Sequence, residues 1–240
     1  MAGPNVFILT GSGISKESGI PTFRDAQTGL WSRYRPEELA TPEAFARDPG
    51  LVHAFYNARR RQLFEPAIAP NPAHQALARL QREWEGELTL VTQNVDNLHE
   101  RAGSDPVWHM HGRIDHAACF RCGASAARQE DLSTETQCPS CGSAAMRPDV
   151  VWFGEMPRHM DAIYAALARA DVFAAIGTSG HVYPAAGFVQ QAPPRARRVE
   201  INLERSLNAD LFDEGLYGPA TAKVPEWVEG LLGKTALAAI

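Results

Sequence analysis

The stretch Asn5-Val6-Phe7-Ile8-Leu9-Thr10-Gly11-Ser12-Gly13 decides how this chain is read. Val6, Phe7, Ile8 and Leu9 form a short continuous apolar run, the pattern of a strand buried on both faces. The run leads directly into Gly11-Ser12-Gly13, a glycine-rich turn that lets backbone approach a ligand closely. Nucleotide-binding α/β folds commonly open in this way. The fingerprint is incomplete, because Lys16 stands where Gly-x-Gly-x-x-Gly has its third glycine. Taken alone, the turn leaves dinucleotide binding undecided.

Three further runs follow the same grammar. Leu88-Thr89-Leu90-Val91 ends at Thr92-Gln93-Asn94, Val172-Phe173-Ala174-Ala175-Ile176 ends at Gly177-Thr178-Ser179, and Val199-Glu200-Ile201 ends at Asn202. Ligands of open parallel sheets bind beyond the carboxyl ends of the strands, so these four loops are expected to converge on one crevice. Between residues 42 and 84 apolar side chains recur three and four apart (Leu51, Phe55, Ala58, then Leu77, Leu80, Trp84), which predicts helix. Pro66, Pro70 and Pro72 are expected to split that stretch into two pieces. Residues 160–170, with Met160, Ile163, Tyr164 and Leu167 on one face, supply a crossover helix, and residues 224–232 a terminal one.

The fold class that follows is α/β: a Rossmann-like parallel sheet with helices on both faces, a helical insertion and a small zinc-ribbon module. The expected division is Rossmann-like segments at 1–40, 85–115 and 149–240, the insertion at 41–84 and the zinc module at 116–148.

With 240 residues the chain can bury a core without staples, and 45% hydrophobic against 21% charged residues argues against disorder. A net charge of -5 disfavours binding to nucleic acid, which draws its strength from phosphate neutralisation. Two basic clusters, Arg59-Arg60-Arg61 and Arg195 with Arg197-Arg198, run against that balance; ordinarily such runs are solvated faces. No apolar stretch approaches the roughly 18 residues that span a bilayer. Met1-Ala2-Gly3-Pro4-Asn5 lacks the features of a secretory signal, so a cytoplasmic protein is the expectation.

Cys119-Phe120-Arg121-Cys122 and Cys138-Pro139-Ser140-Cys141 are two knuckles separated by 15 residues, a spacing that suits tetrahedral zinc-thiolate ligation. All four positions would be thiolate, which leaves no open site for water and makes the zinc structural. Two disulfides or a redox pair are the alternatives, and the doubled motif weighs against both.

The longer run Thr10-Gly11-Ser12-Gly13-Ile14-Ser15-Lys16-Glu17-Ser18-Gly19-Ile20-Pro21-Thr22-Phe23-Arg24-Asp25 closely resembles the NAD-binding signature of sirtuins. The resemblance continues in Thr92-Gln93-Asn94-Val95-Asp96-Asn97-Leu98-His99, His111-Gly112, both cysteine knuckles and Val151-Trp152-Phe153-Gly154-Glu155. It extends through Gly177-Thr178-Ser179, Asn202-Leu203-Glu204 and Tyr217-Gly218-Pro219-Ala220. Ser12 departs from the family's usual alanine and brings a hydroxyl that can either donate to a phosphate or crowd the cofactor. Asp149 stands where close bacterial relatives often have histidine.

The resemblance implies an NAD-consuming protein-lysine deacylase. In that reaction nicotinamide leaves, the lysine acyl oxygen captures the ribose carbon, and the acyl group ends on ADP-ribose. Gly11, Ser12, Gly13 and Ser179 would meet the pyrophosphate, while Phe23 and Arg24 would fold over the cofactor. Asn94 and Asp96 would grip the nicotinamide carboxamide and Gln93 the ribose. Asn202 and Glu204 would hold the adenine-side ribose, with Val95, Gly177, Thr178, Leu203 and Ala220 completing the cofactor contacts. His111 matches the general base, a task suited to an imidazole whose pKa lies near working pH. Phe153, Gly154 and Glu155 would clamp an acylated lysine peptide as an added strand. Phe55-Tyr56-Asn57-Ala58-Arg59 resembles the Tyr-x-x-Arg pair of sirtuins that remove acidic acyl groups. Tyr56 and Arg59, three apart on a helix, would together receive a succinyl or malonyl carboxylate. The alternative there is a solvated basic face with Tyr56 packed inward. Two rival functions share the NAD pocket: mono-ADP-ribosyl transfer to protein, and a non-enzymatic zinc-stabilised nucleotide binder in which His111 is idle.

Overall fold

In the computed structural model, which describes residues 3–22, 34 and 36–238, the opening apolar run becomes β1 (Gly3–Thr10). A helical stretch follows: α1 (Pro36–Leu39), α2 (Pro42–Arg47), α3 (Pro49–Leu63) and α4 (Pro72–Glu83). Next come β2 (Gly86–Thr92), α5 (Leu98–Arg101) and β3 (Trp108–His109), and then a ribbon of β4 (Gly112–Cys119), β5 (Ser125–Ala127) and β6 (Met146–Val150). The chain closes with α6 (Met160–Leu167), β7 (Val172–Ile176), α7 (Phe188–Gln191), β8 (Arg197–Asn202), β9 (Glu214–Tyr217) and α8 (Ala220–Ala238).

Six strands form one sheet in the order β3-β2-β1-β7-β8-β9, all parallel. Alternation along β1 sends its side chains to opposite faces. Val6 and Ile8 join Leu77 and Leu80 of α4 and Val224, Trp227 and Val228 of α8. Phe7 and Leu9 join Ile163 and Leu167 of α6 and Phe188 and Val189 of α7. Both faces are therefore covered, as an all-parallel sheet requires. Each such side chain contributes roughly 1.5–3 kcal/mol by leaving water.

Three helices rather than the expected two lie between residues 42 and 84. The break before Pro72 is as expected, and a further one falls at Asp48-Pro49, since a capping residue followed by proline starts each of the three. Thr41 Oγ1 accepts from Ala44 N at 3.0 Å, Asp48 Oδ1 from Leu51 N at 2.9 Å and Asn71 Oδ1 from Ala73 N at 2.9 Å. Each precedes a proline whose missing N–H costs nothing at a helix start. Strands β3 and β9, at the two edges, extend the sheet beyond the four strands expected.

The helical stretch leaves the sheet after β1, and the antiparallel ribbon β5-β4-β6 leaves it after β3, so both depart from the carboxyl rim. They share a core of their own, in which Leu39, Val52, Phe55 and Tyr56 pack with Leu98, Ile114, Val150 and Trp152. Among the described residues no helix is long and apolar enough to cross a membrane.

Candidate active site at the carboxyl rim

β1 and β7 are neighbours, yet β1 leads away to one side of the sheet and β7 to the other, which opens a crevice between their loops. Gly11 N donates to Ile176 O at 2.9 Å and Gly13 N to Gly177 O at 3.0 Å, stacking the two loops directly. A Cβ on Gly177 would fall 2.4 Å from Ile14 N, and one on Gly13 would fall 2.7 Å from the Gly177 Cα. Gly177 also has φ +63°, a left-handed value that favours glycine. These glycines are fixed by loop against loop, whatever ligand they also meet.

Ser12 begins a short 3-10 turn above this contact, half-buried, and Thr178 and Ser179 lie beside it. Asn202 holds that loop by donating from Nδ2 to the Thr178 carbonyl, while Leu203 and Glu204 are exposed. Ala220 starts α8, whose Thr221 N and Oγ1 are bound by Glu17 at 3.0 and 2.7 Å. Phe23 and Arg24 lie outside the described residues.

Beyond β2 the chain builds a buried polar cluster. Asn94 Nδ2 donates to Ser15 Oγ at 3.1 Å, and that hydroxyl donates to Asp96 Oδ2 at 3.0 Å. Leu98 N donates to Asp96 Oδ1 at 3.1 Å. Burial pushes the Asp96 carboxyl up, and its two donors only partly offset this. Val95 pins the ribbon, its carbonyl accepting from Ile114 N at 2.8 Å. Beneath the cluster lie two wholly buried histidines, with rings 5.0 Å apart. His99 Nε2 meets Thr10 Oγ1 at 3.0 Å, and His74 Nε2 approaches Ser15 Oγ at 3.4 Å. Burial pushes His74 down to about 4 and His99 well below its ordinary value.

His111 Nδ1 lies 3.0 Å from the carbonyl of Gln93. A carbonyl only accepts, so Nδ1 carries the proton and Nε2 keeps its lone pair. Burial lowers this imidazole's pKa, partly opposed by the Gln93 bond, which favours the neutral form that can take a proton. His109 is placed differently: Nδ1 faces the Asn94 carbonyl at 3.0 Å and Nε2 faces Glu100 Oε1 at 2.7 Å. Both of its nitrogens are spent on acceptors, so geometry separates the two histidines that flank Met110.

On α3, Tyr56 Oη accepts from Trp152 Nε1 at 3.1 Å, which leaves the phenol proton available. Burial raises that phenol to about 12. Arg59, one turn on, lies 4.8 Å over the Phe55 ring, and its guanidinium is pushed down by burial. The alternative of a solvated basic face with Tyr56 packed inward is seen only in part: Tyr56 and Arg60 are buried, Arg59 is half-buried, and Arg61 is exposed and paired with Asp131. Phe153 is exposed, its N–H donating to Ala40 O at 2.9 Å, and Gly154 has φ +89°. Glu155 braces this loop: it accepts from Arg147 at 2.6 and 2.9 Å and from Trp152 N at 2.8 Å. Arg147 in turn lies 3.4 Å over the Trp152 ring. Asp149 accepts from Arg158 Nη1 at 3.0 Å and Ser125 Oγ at 2.8 Å, and both hold its carboxyl below the usual range.

The four cysteine Sγ atoms lie within 4.8 Å of one another. Cys119 and Cys141 are 3.8 Å apart and Cys122 and Cys138 3.7 Å, far beyond the roughly 2.0 Å of a disulfide. A tetrahedron with metal–sulfur bonds of about 2.3 Å has edges of about 3.8 Å, so the cluster fits zinc.

Ser15, His74 and His99 carried no assigned role in the sequence, and neither did Trp152. The available signal was polarity at strand ends: Thr10 and Thr92 close apolar strands, and Thr10 Oγ1 donates to Thr92 Oγ1 at 2.8 Å.

The strand order and the switch-point crevice define a Rossmann-type dinucleotide-binding protein. The Sir2 family pattern matches residues 11–184, and the chain belongs to that family. It is 56% identical over 229 residues to a protein of Bdellovibrio bacteriovorus named NAD-dependent protein deacylase, covering 95% of this chain and 97% of that one. A protein of the same name from Escherichia coli (strain K12) is 57% identical over 234 residues, covering 97% of this chain and 84% of that one. A solved complex of a Sir2 homologue with NAD superposes with TM-score 0.84 at 41% identity, covering 97% of this chain and 90% of the other.

Proposed function

We propose that this chain removes acyl groups from protein lysine in an NAD-dependent reaction, and that it accepts acidic acyl chains as well as acetyl. Its relatives are named NAD-dependent protein deacylases, and a Sir2 homologue with the same fold has been solved with NAD bound. The observation that carries the catalytic reading is the His111–Gln93 bond, which leaves a bare imidazole nitrogen beside the loop that ends β2.

Bound NAD supplies an electrophilic ribose carbon and a nicotinamide leaving group. Ser12, Thr178 and Ser179 would offer backbone amides and hydroxyls to the pyrophosphate, while Gly11 and Gly13, whose own amides hold the Ile176 and Gly177 carbonyls, would let the loop approach it closely. Asn202, Leu203 and Glu204, at the end of β8, would meet the adenine-side ribose. Asn94 and Asp96, fixed to each other through Ser15, offer a donor and an acceptor to the carboxamide. His111 Nε2 takes a proton from a ribose hydroxyl and so activates it. Phe153 and Gly154 present an exposed edge to the peptide, while Glu155 stiffens it through Arg147. Tyr56 donates its free proton, and Arg59 its charge, to the far carboxylate of a succinyl or malonyl chain.

The test is to incubate acetyl- and succinyl-lysine peptides with and without NAD, following nicotinamide and the acylated nucleotide together. Both should appear in equal amount, and His111→Ala should slow them by about 10²–10⁴-fold. Nicotinamide release that leaves ADP-ribose on the protein would overturn deacylation. Arg59→Met should impair succinyl turnover far more than acetyl; an equal loss on both would remove the acyl-reading role.

A further inference from the structure

Tyr56 and Arg59 occupy one strip of α3, and Asn57 and Arg60, the next residues along, occupy the adjacent strip. That second strip is buried, with Asn57 5% and Arg60 0% exposed. Its hydrogen bonds all go to the ribbon, to the segment beside the cysteine cluster, or within the strip. Asn57 Nδ2 donates to Leu132 O at 2.8 Å, and Leu132 N donates back to Asn57 Oδ1 at 2.9 Å. The side-chain amide thus pairs with one residue's backbone on both sides, as a neighbouring strand would. Arg60 donates to Ile114 O at 2.8 Å, to Asn57 Oδ1 at 3.0 Å and to Glu130 O at 3.4 Å. Arg61 adds an exposed ion pair with Asp131.

Leu132 connects two systems. Its backbone is held by Asn57, and its side chain, 3% exposed, packs in the small core that contains Cys119, Cys138, Ala145 and Met146. This core has few apolar residues, and a metal must hold its cysteines in place. The segment that positions α3 is therefore itself positioned by the thiolate cluster.

We propose that Asn57 and Arg60 are positioning residues that tie acyl selectivity to the zinc module. The cluster seats Leu132, Leu132 sets Asn57, and the register of α3 delivers Tyr56 and Arg59 to the acyl chain. The proposal rests on Tyr56 and Arg59 being the acyl readers. The route through Leu132 and Asn57 meets neither His111 nor the NAD loops, whereas Arg60 also holds Ile114, whose N–H is bound by Val95; Asn57 is therefore the position at which acyl reading separates from acetyl chemistry. Coupling between two sites is reciprocal, so a ligand that engages Tyr56 and Arg59 must also steady the metal site.

The experiment uses the zinc-loaded full chain and follows zinc transfer to the chromogenic chelator 4-(2-pyridylazo)resorcinol. Saturating succinyl-lysine peptide should slow release several-fold, acetyl-lysine peptide should change it little, and Asn57→Ala should abolish the difference. In steady-state kinetics, Asn57→Ala should raise KM for the succinyl peptide by about ten-fold, the equivalent of one buried hydrogen bond, and KM for the acetyl peptide by less than about three-fold. Asn57→Asp keeps the acceptor for Leu132 and Arg60 but loses the donor. It should fall between the two and serves if the alanine variant does not fold. Equal effects on both peptides, or zinc release indifferent to the succinyl peptide in the unmodified protein, would overturn the coupling. Arg59→Met separates the two failures. If it is selective while Asn57→Asp is not, the readers stand and the coupling falls; if it is unselective, the readers fall and the coupling with them.

Discussion

Lowering the pH should destabilise this fold well before its ion-paired carboxylates such as Asp149 and Glu155 protonate, because His74 is buried as a neutral ring. Its pKa is pushed from 6.5 in the open chain to about 4 by burial. A group whose folded pKa is depressed binds fewer protons folded than unfolded, so stability falls as pH drops through the unfolded value. For His74 the loss begins near pH 6.5 and is complete near 4. From pH 7 to pH 5 it amounts to about 2 kcal/mol, and over the whole window to about 3 kcal/mol. His99, pushed the same way, adds to the slope with the same sign. The lowered carboxylates, Asp149 and Glu155 among them, begin to contribute only as the pH approaches their unfolded values of 3.8 and 4.5. Urea unfolding at pH 7, 6 and 5, compared between the unmodified protein and His74→Asn, isolates the term, since protonation of the cysteines affects both alike. The variant should lose about 2 kcal/mol less over that range. Parallel stability curves for the two proteins would refute the assignment of His74 as a neutral buried ring.

Gly177→Ala should cost about 3 kcal/mol through the left-handed backbone, the clash with Ile14 N and the bond to Gly13, lowering Tm by roughly 6–12 °C. Calorimetric titration of the folded fraction should also show weaker NAD binding. Chelating the metal should expose residues 119–146 to protease before the main sheet, whose core contains no cysteine. Simultaneous cleavage throughout would show that the module is not separately held. Tyr56→Phe strands the Trp152 indole N–H in a buried site, at a cost of about 1–3 kcal/mol. It should raise KM for succinyl-lysine more than for acetyl-lysine, with a shift in tryptophan emission reporting the lost bond.

The strands that build the crevice were legible because each is a short apolar run that ends abruptly in polar or glycine residues. β3 was not, since Trp108–His109 offers two residues and no alternation to count. β4 to β6 stayed hidden because a ribbon held by cysteines carries little apolar patterning. The extra break in the helical stretch was written in Asp48-Pro49, a local signal that the longer periodicity masked. His111 stood out only through the family resemblance. What distinguishes it from His109 is which ring nitrogen meets which acceptor, and that depends on Gln93 and Glu100, residues brought together by folding. Arg60 was hidden for the same reason: nothing in three consecutive arginines tells which one turns inward.

The central strand has its partners at very different distances along the polypeptide: Val6 pairs with Leu88 on one side and with Val172 on the other. On a ribosome that adds about 5–20 residues per second, the second edge of β1 waits on the order of 10–30 s for its neighbour to emerge. During that interval Phe7 and Leu9 lack the partners they later pack against on α6, β7 and α7. Of the strands in this sheet β1 is made before the others yet is among the last to be sealed, and nascent chains halted before β7 are where chaperone dependence should concentrate.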